Sequence, residues 1–143
     1  MDPNVVALIE GARDMGAIDF KRIENYRTRI WQQLRAILAE HDALLTPTCA
    51  NIAPGLDTAD KDFEVDLPDG RFAGLDMCCP FNLVPQCPAI SVPVGTAQGL
   101  PVGLQIVGRR FADQQVLQIA KAVELDHSPA ALDGGNPALY RTY

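Results

Sequence analysis

Residue types able to drive hydrolysis are scarce in this chain of 143 residues, which has two histidines, two serines and three lysines. Ser91 sits between Ile90 and Val92 in an apolar run, with no Gly-x-Ser-x-Gly elbow to expose its oxygen, and Ser128 precedes a proline. Lys21, Lys61 and Lys121 are all far in sequence from either serine. No glycine-rich loop leads from a strand into a helix, so there is no phosphate cradle, and no cofactor is expected. No run of 18 apolar residues exists to span a bilayer. The opening Met1-Asp2-Pro3-Asn4 has neither the basic nor the apolar region of a signal peptide, so a cytoplasmic protein is expected. The net charge of −6 and a pI near 4.7 argue against nucleic acid as a partner.

Cysteine is sparse too: Cys49, Cys78, Cys79 and Cys87. Without a secretory signal or a Cys-dense sequence, these read as reduced thiols rather than a disulfide framework. Cys78 and Cys79 are adjacent rather than paired as Cys-x-x-Cys, and neither His41 nor His127 falls in a ligand cluster, so no metal site is expected. The run from Asp60 to Glu64 begins like a calcium loop, but Val65 stands where the sharp turn needs glycine and Arg71 where the bidentate acid belongs. A thiol nucleophile, Cys79 or Cys87 with His41 or His127, is conceivable, but buried inert thiols are the simpler reading. Asp57, Asp60, Asp62 and Asp66 could pair for acid–base work, yet a loop setting gives them no burial to tune a pKa.

What is present is ordinary globular material, 48% hydrophobic and 21% charged. The charge is uneven: residues 1–42 carry −1, residues 43–78 carry −5 and residues 79–143 carry none net. The acidic middle reads as a solvated loop. Asp2-Pro3 starts a helix whose apolar stripe, Val5, Val6, Leu8 and Ile9, ends near Gly16. Asp19 is expected to cap a second helix of about 22 residues, with Phe20, Ile23, Ile30, Leu34, Ile37 and Leu38 at helical spacing. Residues 43–46 predict a buried strand stopped by Pro47, and residues 47–62 a long loop. Residues 63–67 and 71–73 predict a small hairpin around Pro68-Asp69-Gly70, and 75–88 a broken helix or ordered loop. Residues 89–94 and 102–107 are the clearest strands, expected to pair antiparallel, with Pro93 marking an edge or a bulge. Asp113 opens a last helix through Val123.

The expected fold class is therefore α/β (or α+β), a short mixed sheet with an antiparallel strand pair and three main helices. One domain is expected over residues 1–127, with 128–143 a surface tail. The sheet looks unfinished, because its apolar strands want cover on both faces.

Three blocks then stand out in order: Cys79-Pro80-Phe81-Asn82-Leu83; Cys87-Pro88-Ala89-Ile90-Ser91-Val92-Pro93-Val94-Gly95; and Gly99-Leu100-Pro101-Val102-Gly103-Leu104-Gln105-Ile106-Val107-Gly108-Arg109. Upstream lie Asp42-Ala43-Leu44-Leu45-Thr46-Pro47-Thr48 and Ala53-Pro54. Together they resemble the C-terminal region of amidase signature enzymes, over roughly residues 5–125. That resemblance implies a larger mixed sheet which this piece completes, and a small amide substrate in a complete enzyme. The family's Ser–cis-Ser–Lys triad lies in a Gly/Ser-rich N-terminal motif that has no counterpart here, so no catalytic residue carries over. The implied pocket-wall candidates are Cys78, Phe81 and Asn82, with helix-end packing as their alternative role. The chain departs from the family at Cys78, where many members have threonine, and in Pro88 following Asn82 one position later than is common. Substrate identity is therefore not carried over.

Two functions are in view. One is the C-terminal portion of an amidase, inactive alone and partnered by a missing N-terminal amidase chain. The other is a non-catalytic module that covers its apolar surface as a homo-oligomer or with a partner.

Overall fold

The long strands take their form from β-branched and small residues that alternate across a pleat. A computed structural model describes residues 3–58, 65–66, 72–73 and 76–127. Its elements in chain order are α1 (Pro3–Gly11), α2 (Ala17–Glu40), β1 (Ala43–Pro47), β2 (Val65–Asp66), β3 (Phe72–Ala73), α3 (Cys79–Leu83), β4 (Ala89–Ala97), β5 (Leu100–Gly108) and α4 (Asp113–Asp126). The main sheet runs β1-β5-β4, and both pairings are antiparallel. The predicted small hairpin is present as β2 against β3, Val65 opposite Ala73. The expected surface tail at 128–143 lies outside the described residues.

The β4–β5 connection is tighter than the strand bounds read from sequence imply. Both strands extend to a two-residue turn at Gln98-Gly99, with φ of 53° and 78°. Positive φ at both central residues matches the right-handed twist of the flanking strands, and glycine meets it without strain. Pro93 lies where the register shifts, between Pro93 and Gly95, so the proline marks a bulge as expected.

Neighbouring residues on the central strand β5 serve opposite faces. Ile106 and Val107 are both wholly buried. Ile106 packs with Val92, Ala43 and Leu104 against Val116 and Ala120 of α4. On the other face Leu44, which pairs with Val107, joins Leu34 and Leu38 of α2 and Val84 after α3. Each fully buried side chain of this size contributes about 1.5–3 kcal/mol relative to exposure. Gly108 lets α4 approach, because a Cβ there would collide with Val116 Cγ2.

α2 begins at Ala17, two residues before Asp19. Gly16, in extended conformation, is its N-cap, and the Gly16 carbonyl accepts from the N–H groups of both Asp19 and Phe20. Asp19 therefore sits in the first turn, where its carboxylate favours the positive end of the helix dipole and pairs with Arg22 at 3.0 Å. The last turn of α2 has no basic residue. Arg109, following β5, supplies that charge: its Nε donates to the Leu38 carbonyl and its Nη2 to that of His41 at 3.3 Å. Arg27 fastens α2 to α3 through the Leu83 carbonyl at 2.8 Å and is itself paired with Glu24 at 2.6 Å. No helix among the described residues is long and apolar enough to cross a membrane.

Candidate functional site

Strand register brings separate motif blocks to one polar ledge on the sheet. Thr46 of β1 lies opposite Gln105 of β5, which also pairs with Ser91 of β4. Thr48, one residue beyond β1, donates its N–H to the Gly103 carbonyl at 3.0 Å. Its hydroxyl is 2.6 Å from that of Ser91, so the Thr-Pro-Thr segment and the Ile-Ser-Val-Pro strand are linked directly. Gly103 lies beneath the pair: a Cβ there would fall 2.8 Å from Thr48 Oγ1 and 2.9 Å from Ser91 Oγ. Only glycine leaves room for the two hydroxyls to meet.

Gln105 is the one buried polar residue among those described, at 4% exposure. Its Nε2 donates to Thr46 Oγ1 at 3.0 Å and to the Met77 carbonyl at 3.4 Å. A buried amide left without such partners costs about 1–3 kcal/mol, so this side chain holds β1 and the segment before α3 in one register. That segment is bound to the ledge again by Met77 N–H to the Thr48 carbonyl, 3.2 Å, and by a bridge between Cys49 and Asp76.

Cys78 stands half-buried beside this ledge, its thiol donating to the Thr48 carbonyl at 3.7 Å. Asp76 accepts from the Cys78 N–H at 2.6 Å and from the Cys79 thiol at 3.1 Å. The Cys78 N–H, and after it the Cys79 thiol, hold the Asp76 carboxyl below its usual range. The thiols move the other way. Burial, then the hydrogen bond to Asp76, raises the Cys78 pKa, and for Cys79 the bond to Asp76 comes first. Burial alone raises Cys87. For Cys78, Cys79 and Cys87 the shift is thus opposite to that of an activated nucleophile. The histidines give no help: His41 ends α2, and the His127 ring meets its own helix at the Val123 carbonyl.

The three pocket-wall candidates face three surroundings. Cys78 joins the ledge, and Phe81 packs against the Leu34, Leu38 and Val84 cluster. Asn82 is exposed and lines a groove of about 820 Å³ with Phe20, Ile23, Arg27 and Leu83. A larger cavity of about 1010 Å³ lies against the sheet, where Thr48, Ser91, Pro93, Asn51, Ile52 and Val102 line it.

Ser91 has Thr48 as its hydrogen-bond partner, not a lysine: Lys21 lies on α2 and Lys121 on α4. Among the described residues no group of three or more His, Cys, Asp or Glu side chains is arranged to hold a metal ion. Asp57 is exposed; Asp60, Asp62, Lys61 and Ser128 lie outside the described residues, and the Asp66 side chain is not described. The arrangement lines a cavity with hydroxyl and thiol groups, and among the described residues no serine or cysteine is hydrogen-bonded to a lysine or histidine that could serve as its base. The Thr46–Gln105 and Thr48–Ser91 pairs are not evident from the sequence alone, since only the strand register unites residues 59 and 43 positions apart.

Comparison with known proteins agrees with this geometry. Residues 5–117 match the amidase family. A glutamyl-tRNA(Gln) amidotransferase subunit from Streptococcus suis is 35% identical over 105 residues, which cover 73% of this chain and 20% of that protein. The crystal structure of an amidase superposes with a TM-score of 0.73 at 28% identity, covering 90% of this chain and 29% of the other. The corresponding glutamyl-tRNA(Gln) amidotransferase subunit from Thermotoga maritima gives a TM-score of 0.61 at 33% identity, over 85% and 26% of the two chains. The chain thus spans about a fifth to three-tenths of the length of these relatives. Motif blocks, strand register and overall similarity converge on one assignment: the chain belongs to the amidase signature family.

Proposed function

We propose that this chain serves as the C-terminal portion of an amidase that hydrolyses a small amide or transfers ammonia from it. Its role is to add three strands and a stretch of pocket wall to a catalytic part carrying the Ser–Ser–Lys triad. The observation that carries this reading is the Thr48–Ser91 pair over Gly103: family motif residues are spent on holding a cavity-lining ledge together, and none is set up as a nucleophile. Cys78 beside the ledge and Asn82 at the groove along α2 are the side chains this portion would offer to a pocket wall, with Phe81 packed behind them. Alone it leaves amides intact, and its setting is the cytoplasm.

A second reading, a self-associating or partner-binding module without catalysis, is favoured by the apolar surface along α1 and α2. Leu8, Ile18 and Phe20 are 75%, 72% and 58% exposed. Such a surface calls for cover, by a catalytic part or by another copy.

A native mass spectrum of the protein purified from its own host separates the two. A complex with a larger chain containing Ser-Ser and Lys supports the amidase portion. A bare monomer or homodimer at multiples of 15.5 kDa overturns it in favour of the module.

A further inference from the structure

The corner where α2 ends against the residues after β5 holds a cavity that the amidase reading does not use. It measures about 440 Å³ and is lined by Trp31, Arg35, Leu38, Ala39, Arg109 and Arg110. Half of its lining is arginine and none is acidic, on a protein whose net charge is −6. Among the described residues the arginines in ion pairs are Arg13, Arg22 and Arg27, so none of the three guanidinium groups of the cavity is neutralised there by a carboxylate. Asp42 nearby in sequence accepts from Gln115 instead.

Arg109 has a structural duty at the end of α2, through Nε and Nη2. Among the described residues Arg35 and Arg110 have none of that kind, and Arg110 stacks on the residue that follows it. Its guanidinium lies 4.5 Å from the centre of the Phe111 ring. Phe111 adopts φ of 64°, in the left-handed region that costs a bulky residue strain, and is 82% exposed. Backbone strain of this kind persists where the surrounding structure enforces it, and it collects at ligand clamps. Here it accompanies three arginines that share one cavity lining with the half-buried Trp31 and the buried Leu38.

We propose that this corner is a binding site for a small oxyanion carried on a flat apolar group, such as an aryl phosphate or aryl carboxylate. Guanidinium forks match the paired oxygens of phosphate and carboxylate, and an indole with aliphatic neighbours receives a ring. The volume is within the range of small-molecule pockets and too small for a folded partner. The site rests on this chain's own residues and stands whether or not the amidase reading holds.

Trp31 is the single tryptophan of the chain, so its fluorescence reports on the cavity directly. The full chain is titrated with phenyl phosphate, inorganic phosphate and benzylamine. The expected result is a saturable change with phenyl phosphate, affinity for inorganic phosphate lower by about tenfold or more, and no saturable response to benzylamine. Arg35→Gln and Arg110→Gln, each at an exposed position, are expected to lower phenyl phosphate affinity about tenfold apiece while leaving the Tm and circular dichroism unchanged. The proposal is overturned by a linear, unsaturable response, by equal binding of benzylamine, by inorganic phosphate binding as tightly as its phenyl ester, or by folded variants that keep full affinity.

Discussion

Replacing Gly103 by alanine tests the ledge at its tightest point. The added Cβ would meet Thr48 Oγ1 at 2.8 Å, Ser91 Oγ at 2.9 Å and Thr48 Cβ at 3.2 Å. The first two are shorter than a methyl group tolerates, and the two oxygens are already only 2.6 Å apart, so one hydroxyl must move and their bond must break. Neither side chain is long enough to swing clear at little cost. Overpacking of this kind costs about 1–3 kcal/mol, offset in part by the lower chain entropy of alanine in a strand, about 0.5–1 kcal/mol. A net loss of about 1–2 kcal/mol follows, read as a lower urea midpoint at unchanged m-value and a Tm lower by roughly 2–8 °C. The same substitution in a Thr48→Ala/Ser91→Ala background should cost less than half as much, because both obstructing oxygens are gone and the effects of touching residues do not add. Gly103→Ala at wild-type stability, or an equal cost in both backgrounds, would refute the ledge geometry.

Gly108→Ala should destabilise by about 1–3 kcal/mol, since its Cβ would collide with Val116 Cγ2, and Val116→Ala in the same chain should recover part of that loss in urea unfolding. Arg109→Gln removes the cation from the C-terminal carbonyls of α2 and should cost about 1.5–3 kcal/mol, with Arg109→Lys restoring only part of it in thermal melts. The folded-state pKa values of Cys78 and Cys79 are raised, so their thiolates form only above the ordinary thiol range: alkylation followed by mass spectrometry should show both reacting more slowly in the native than in the unfolded chain at neutral pH. Asp76→Asn should shift the Cys79 reactivity profile toward lower pH, and an unmoved profile would contradict the hydrogen bond assigned to that pair. By the same linkage, stability should decline as pH rises from the ordinary thiol range through the raised folded-state pKa values, because the folded chain holds those protons more tightly than the unfolded chain.

Periodicity makes α2 and α4 legible, since Leu34 with Leu38 and Val116 with Ala120 recur at the spacing that one packed helix face requires. Pro93 foretells its bulge because proline cannot serve an uninterrupted ladder. Local rules fail where the deciding force is elsewhere in the chain. Asp19 is a good capping residue, yet Gly16 begins α2 because its extended backbone starts the hydrogen-bond ladder earlier. The Gln98-Gly99 turn is hidden because glutamine is an uncommon residue at positive φ, and the pairing of two nine-residue strands overrides that preference. Phe81 carries the family resemblance, and its ring joins the cluster around Leu34 and Val84, a contact that only the packing of α2 against α3 reveals. The ledge itself stays out of view, since Gln105 and Thr46 are ordinary polar residues until register sets them opposite one another.

The role we propose for this chain is to contribute structure, and no catalytic group, to an amidase. The most direct test measures ammonia release from small amides by the purified chain, alone and after co-expression with an amidase signature segment that carries the Ser–Ser–Lys triad. The expected result is no release above buffer for the chain alone, and release on complementation that disappears when the partner's nucleophilic serine is replaced by alanine. Release by the chain alone that follows the protein through purification, or a complemented complex whose activity is indifferent to the partner's serine, would contradict the claim.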